Sequence, residues 1–336
     1  MYSVDVIIPS YKPDQKLRKL LELLLRQSYP IQKIIIINTE KSLLDPTLIP
    51  EDTRISVTHI RKEEFDHGAS RNLGVSKSDA ELFLLMTEDA VPKDTTLVEK
   101  LVHVFETDPY KDAAPKNHPR GPIGAVYGRQ LATQESSYDE QYARQFNYPA
   151  QSFVKTQQDI ARLGIKTYFE SNVCCMYRRD IFDRLGGFID HTIFNEDMIY
   201  CGKLLQAGYA SAYEASAEVY HAHHYSGCQQ FHRNFDLGVS QADHPEIFAG
   251  LRSEGEGVKL VLGNAKDLIR HGRLLTVPNL VWKSGCKYLG FRMGRNYRKL
   301  SRRMVLRCTM NPRYWAHTDG SIELHEDGSA CRKNRR

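Results

Sequence analysis

The chain has 336 residues, of which 41% are hydrophobic and 26% charged, proportions that fit a globular protein with a buried core and exclude wholesale disorder. Its formal charge of +5 is unevenly placed: residues 287–307 contain eight Lys or Arg and no acid, and the last six residues add four more cations. The remainder is mildly acidic, so the net value says little about a partner, while the basic C-terminal end does.

No apolar run approaches the roughly 18 residues of a spanning helix, and the start Met1-Tyr2-Ser3-Val4-Asp5 lacks the basic and apolar regions of a signal peptide. Neither secretion nor an integral membrane protein is expected. Seven cysteines without a CxxC pair read as free thiols in a reducing compartment.

Residues 4–9 (VDVIIP) are short, β-branched and closed by Pro9-Ser10, which predicts a buried strand. In residues 14–27, Leu17, Leu20, Leu21, Leu24 and Leu25 form one helical face, with Pro13 and Asp14 at its start. Residues 34–37, 55–60 and 82–86 read as further strands, with a helix beginning near Ala69. Strands apolar on both faces and spaced by helices predict a parallel sheet covered on both sides. Such sheets bind ligands at the carboxyl ends of their strands, where Ser10-Tyr11-Lys12, Asn38-Thr39-Glu40 and Thr87-Glu88-Asp89 stand. Beyond Asp108 the pattern loosens. It predicts a loop at 110–122, strands at 123–127 and 173–177, and a short helix at 181–185 ended by Gly186-Gly187. A helix at 197–206 follows, and then helical text from Val258 with a break at Pro278.

Four clusters could carry chemistry, and each has a plain alternative. Thr87-Glu88-Asp89 delivers adjacent carboxylates to the ligand edge, suited to a hard divalent cation and a substrate phosphate; it also reads as an exposed acidic turn. Glu196-Asp197 opens a helix, where acids serve as caps and dipole partners or as a general base facing a cleft. His221 and His223, alternate residues of an expected strand, would share one face as metal ligands or as solvated histidines. His67, Arg71 and Asn72 surround a helix N-terminus that favours anions, although the arginine could equally be structural.

Taken in order, these clusters resemble family 2 glycosyltransferases of the GT-A fold, closest to a bacterial rhamnosyltransferase-like branch. The resemblance runs through Val6-Ile7-Ile8-Pro9-Ser10-Tyr11, Phe65-Asp66-His67-Gly68, Arg71-Asn72, Thr87-Glu88-Asp89-Ala90 and Tyr127-Gly128-Arg129-Gln130. It continues through Phe146-Asn147-Tyr148-Pro149, Ser171-Asn172, Gly186-Gly187-Phe188, Asn195-Glu196-Asp197-Met198 and His221-Ala222-His223. It implies an α/β GT-A (Rossmann-like) mixed sheet flanked by helices, as a catalytic domain over residues 1–240. A helical, basic, membrane-associating region would follow over 241–336. By this resemblance Asp89 and His221 hold Mg or Mn against the donor diphosphate, and Asp197, beside Glu196, is the catalytic base. Pro9, Ser10, Tyr11, Glu40, His67, Arg71, Asn72, Thr87 and Glu88 line the nucleotide-sugar site. Two departures stand out: the first Asp of the family's DxD signature is Thr87 here, and Asn38-Thr39-Glu40 replaces the usual acidic pair after the second strand.

The expected reaction is an inverting transfer of a sugar, best read as L-rhamnose from dTDP-L-rhamnose. The acceptor would be a glycan or polyprenyl-linked glycan at the cytoplasmic face of the plasma membrane. An Asp197 carboxyl near about 4 would be ionised at neutral pH without tuning. The alternatives are a UDP-hexose donor, a nucleotidyltransferase, or a non-enzymatic nucleic-acid binder. The absence of glycine in Pro9-Ser10-Tyr11-Lys12-Pro13 argues against the nucleotidyltransferase, and the acidic body against the nucleic-acid binder. Leu289, Met293, Tyr297, Leu300 and Met304 fall at helical spacing among cations. This predicts one basic amphipathic helix that lies on an anionic membrane or packs on the protein.

Overall fold

A computed structural model describes residues 1–111, 120–222, 225–251, 254–317, 322–324 and 330–332. Its parallel half is built from β1 (Val4–Tyr11), α1 (Gln15–Leu24), β2 (Lys33–Thr39), β3 (Ile55–Ile60), α2 (His67–Val75) and β4 (Leu82–Met86). β2 lies parallel between β1 and β3, and β4 flanks β1 on its other side. Alternation explains the unbroken apolar text. Val4, Val6 and Ile8 enter one core with Leu17, Leu20, Leu21 and Leu24 of α1. Ile7, Ile35 and Ile37 enter a second core with Phe83 and Leu85. Asp14 caps α1 by accepting from the Lys16 N–H at 2.7 Å.

The sheet continues through β5 (Val91–Pro92), α3 (Leu97–Thr107), β6 (Ile123–Leu131), α4 (Tyr138–Asn147), β7 (Phe153–Lys155) and α5 (Ile160–Leu163). After these come β8 (Cys174–Arg178), α6 (Arg179–Arg184), α7 (Glu196–Gln206) and β9 (Ala210–Tyr220). β8 runs antiparallel between β4 and β6, and β9 is parallel to β6. The nine strands are ordered β3-β2-β1-β4-β8-β6-β9-β5, with β7 also on β9. This is the mixed, helix-flanked sheet expected. The ends of β1, β2 and β4 share one edge, and β6 and β9 bring their own ends beside it.

Gly68 shows how tightly this edge is assembled. The Asp66 side chain caps α2, accepting from the N–H groups of Gly68 and Ala69 at 2.9 Å each. A Cβ at position 68 would stand 1.8 Å from the Ile189 carbonyl oxygen, so the motif Asp66-His67-Gly68 is in part a packing requirement. Gly68→Ala is expected to cost about 1–3 kcal/mol, read as a lower urea midpoint.

The chain divides into two units, Met1–Asp190 with Glu196–His223, and His191–Asn195 with His224–Arg336. The second holds α8 (Gly227–Asp243), α9 (Pro245–Phe248), α10 (Glu254–Arg270), α11 (Val277–Arg295), α12 (Arg302–Cys308), α13 (Pro312–His317) and an antiparallel pair of β10 (Ile322–Leu324) with β11 (Ala330–Arg332). This is the C-terminal helical extension. α8 and α11 meet through glycines. A Cβ at Gly290 would stand 2.2 Å from the Phe231 carbonyl oxygen, and one at Gly294 would stand 2.0 Å from that of Phe235.

The single helix expected through Leu289 and Met304 is broken. α11 ends at Arg295, and Ser301 caps α12 by accepting from the Met304 N–H. Between them Tyr297 Oη donates to Asp243 Oδ1 at 2.7 Å, and Arg298 pairs with the same oxygen at 2.8 Å, which turns the chain. Met293, Tyr297 and Leu300 therefore pack on Phe235, Val239 and Trp315 instead of forming a free stripe.

Candidate active site

The two adjacent acids after β4 have different tasks. Glu88 turns back to β1, where its Oε2 accepts from Ser10 Oγ at 2.6 Å and from the Tyr11 N–H at 3.0 Å. Burial pushes its carboxyl up to about 7. Asp89 faces the other way, its Oδ1 3.5 Å from His221 Nε2. Thr87 N–H donates to the Val173 carbonyl at 3.3 Å, while Thr87 Oγ1 is buried without a hydrogen-bond partner. His221 does not lie within a strand as expected. β9 ends at Tyr220, and His221 is held just beyond it by its N–H to the Leu131 carbonyl at 3.0 Å. His223 lies outside the described residues. The ring of His221 is oriented from behind, with Nδ1 3.0 Å from Gln130 Oε1 and 3.2 Å from Arg144 Nη2.

Glu196 and Asp197 open α7, Glu196 buried and Asp197 partly buried. Arg71 Nη1 lies 3.2 Å from Glu196 Oε1 and donates to the His67 carbonyl at 2.7 Å; the Asn172 amide donates to Glu196 Oε1 at 3.1 Å. Burial works against charge on Glu196, but Arg71, His67 and Asn172 outweigh it and hold the carboxyl below its usual range. Asp197 Oδ1 accepts from the Met198 N–H at 2.8 Å and Oδ2 from the Asn172 N–H at 3.4 Å. Burial, with the neighbouring Glu196 charge, pushes Asp197 up to about 7. The expectation of an untuned carboxyl near about 4 is thereby corrected. Arg71, expected to face the donor, is instead buried against Glu196.

One short segment spans both halves. Glu170 is buried and accepts from Ser211 Oγ at 2.6 Å and Tyr177 Oη at 3.4 Å. Burial pushes its carboxyl up, opposed by Lys155, Ser211 and Tyr177. Ser171 Oγ accepts from Gln130 Nε2 at 3.0 Å on the Asp89–His221 side, and Asn172 serves the Glu196–Asp197 side. Sequence reasoning quoted Gln130, Ser171 and Asn172 only within the resemblance; it missed Lys155, Glu170 and Arg144 altogether. Beside this segment a cavity of about 500 Å³ is lined by Arg129, Gln130, Thr133, Gln141, Arg144, Gln145 and Tyr148. The Tyr148 hydroxyl interacts with Ser171 and Gln130 and lies in the field of Asp197.

On the nucleotide edge, Pro9 and Ser10 sit near the end of β1 beside Ile37 and Asn38. Tyr11 is exposed, with the ammonium groups of Lys12 and Lys62 at 5.4 and 5.8 Å from its ring centroid. Glu40 meets this group through Lys62, whose N–H donates to Glu40 Oε1 at 2.5 Å. His67 packs edge-on to Phe65. Asn72 works as a clamp on the glycine turn: its amide donates to the Phe188 carbonyl and to Asp190 Oδ1 at 2.9 Å each, and its oxygen accepts from the Phe188 N–H at 3.1 Å. Ser10, Tyr11 and Glu88 thus form one group, Asp89 and His221 a second, and Arg71, Glu196 and Asp197 a third.

A mixed sheet with paired acids and a histidine at its ligand edge is the frame of a group-transfer enzyme. Residues 5–186 match the family model described as Glycosyl transferase family 2, and the chain belongs to that family. It is 34% identical over 316 residues to the O-antigen chain rhamnosyltransferase RfbN of Salmonella typhimurium, covering 93% of this chain and 96% of that protein. It is 32% identical over 320 residues to the O-antigen chain rhamnosyltransferase WbaN of Salmonella anatum, covering 94% and 96%. Among solved structures, the mannosyltransferase PcManGT from Pyrobaculum calidifontis, in complex with GDP-Man and Mn²⁺, shares the fold with a TM-score of 0.58. That match is 15% identical and covers 89% of this chain and 88% of that one. The chain is a glycosyltransferase, and its architecture is GT-A, as expected.

Proposed function

We propose that this enzyme transfers L-rhamnose from dTDP-L-rhamnose, with inversion, to a hydroxyl of a growing, lipid-linked cell-surface polysaccharide. The observation that carries the reading is the pairing of a partly buried Asp197, poised near neutrality, with Asp89 and His221 through the single segment of residues 170–172. Asp197 takes the proton of the acceptor hydroxyl as that oxygen bonds to the anomeric carbon. The bond from that carbon to the diphosphate oxygen breaks on the opposite face, and nucleoside diphosphate leaves. The two O-antigen rhamnosyltransferases support the choice of sugar and acceptor.

Among the described residues no group of three or more His, Cys, Asp or Glu is arranged to hold a metal ion. Asp89 and His221 nevertheless offer one carboxylate and one imidazole, a donor set that fits Mg or Mn completed by diphosphate oxygens. Such an ion, when bound, neutralises charge developing on the leaving diphosphate. In the tautomer whose Nδ1–H donates to Gln130, the His221 Nε2 lone pair faces Asp89, and Gln130 acts as the outer partner that sets the ring. Gln130→Ala is expected to weaken Mn²⁺ binding about 10–100-fold, measured by EPR titration of free Mn²⁺ without donor. Unchanged affinity would place the ion elsewhere.

Gln130, Gln141 and Gln145 line the cavity, where Arg129 is paired with Glu218 at 3.2 Å. Amides around Tyr148, whose hydroxyl lies in the field of Asp197, suit the hydroxyls of a neutral acceptor sugar. We assign catalysis to residues 1–240 and a peripheral association with the inner face of the plasma membrane to residues 241–336. Turnover of a nucleotide-sugar panel with Mn²⁺ or Mg²⁺ tests the reading. Release of dTDP from dTDP-L-rhamnose above all others is expected, whereas a preference for UDP-hexoses would replace the donor, and no release from any donor would remove the reading.

A further inference from the structure

No helix among the described residues is long and apolar enough to cross a membrane. Yet the second unit exposes many large apolar side chains on two consecutive helices. On α10, Val258, Leu262 and Ile269 are four and seven residues apart and share one face, while Asn264 and Leu268 on the other side are buried. At the turn that follows, Leu274 is exposed and Leu275 is 96% exposed. On α11, Val281 and Trp282 recur seven residues later as Tyr288 and Leu289, all exposed, with one edge of the Trp282 indole resting against Gly227 of α8. Apolar surface gathered in this way on a water-exposed protein marks an interaction site.

The charge around it says what covers it. Residues 254–295 contain eight Lys or Arg and three acids, Glu254, Glu256 and Asp267, and Glu256 is paired with Lys259 at 2.7 Å. Lys266, Arg270 and Arg273 are exposed and neighbour Leu262, Ile269 and Leu274 in the chain. Exposed leucines and a tryptophan bordered by cations suit a bilayer interface with anionic headgroups. A second copy fits poorly, because two such cationic faces repel.

We propose that the α10–α11 hairpin is a membrane-docking element, seating Leu274, Leu275 and Trp282 among the headgroups of an anionic bilayer with Arg270 and Arg273 on lipid phosphates. This places membrane contact on residues 254–289 rather than on the broken stripe that follows. It rests on the reading of a lipid-linked acceptor for its purpose, but its test needs neither donor nor acceptor.

The chain has two tryptophans, Trp282 at 63% exposure and Trp315 at 6%, so a change in emission on lipid binding reports Trp282. Full-length protein is mixed with phosphatidylcholine vesicles with or without phosphatidylglycerol. Co-flotation with the anionic vesicles is expected, together with a blue shift and quenching by lipids brominated in the acyl chain. Arg270→Glu with Arg273→Glu should lower partitioning on the order of tenfold or more, and Leu275→Glu should do likewise. Trp282→Phe should abolish the shift yet float. Absence of flotation, or flotation unchanged in the Arg270/Arg273 and Leu275 variants, overturns the proposal. So does a blue shift that grows with protein concentration without lipid, because a second copy would then cover the face. Protein that releases dTDP but ignores vesicles refutes docking alone; protein that floats but turns over no nucleotide sugar refutes the functional reading alone.

Discussion

Asp197→Asn is expected to lower the transfer rate by about 10²–10⁴-fold, the usual cost of losing a general base, while donor affinity and melting temperature hold. The substitution keeps the shape of the side chain and its place at the start of α7 but removes its capacity to take a proton. The wild-type pH profile gives an independent reading. An acid raised to about 7 by burial and by the Glu196 charge is mostly protonated at low pH, and only its ionised form is a base. Below about pH 7, kcat/KM should therefore fall about tenfold per unit, and above it should level off. The Asp197→Asn residue of activity should lack that limb. Wild-type turnover in the variant, or a flat wild-type profile from about pH 5 to 9, would assign proton removal to another group.

The second large effect lies outside the reacting centre. Glu170→Ala is expected to destabilise the protein by about 3–5 kcal/mol, the range seen when one member of a buried charged set is removed. The loss strands the Ser211 hydroxyl, although Tyr177 Oη keeps its 2.7 Å bond to Asn172 Oδ1, and it removes a negative charge from the field of Lys155, which is 1% exposed. Glu170→Gln, which can still accept from Ser211, should recover much of the loss. The measurement is the urea midpoint, with turnover at low temperature as the companion. Because Ser171 and Asn172 follow directly, the Ala variant should also lose activity while still folded. Equal stability of wild type and Glu170→Ala would show that the segment is anchored by other contacts.

The parallel half was legible because each strand is apolar on both faces and each intervening helix carries a clear stripe. β9 was not. Its text ASAYEASAEVY has little β-branched character, since a strand in the middle of the sheet is crowded and small residues fit there: Ala210, Ser211, Ala212 and Ala217 are fully buried. α8 was missed for a related reason. Phe231, Phe235 and Val239 form a narrow stripe, because the rest of the contact with α11 is made by backbone at Gly290 and Gly294. In the site, the acids and His221 stood out by type and order, whereas their supports did not. Nothing in the text marks Arg144 or Glu170 as different from surface charges until the fold buries one and aims the other at His221. The tuning of Asp197 was likewise hidden, because desolvation is a property of packing.

The glycine seam between α8 and α11 has a mechanical consequence. Where two helices meet through side chains, each contact can hop between rotamers and the joint has some play. Here the main chains touch, so no rotamer intervenes. A hairpin carried on α11 is aimed before it meets anything, and little ordering entropy is left to lose when it does.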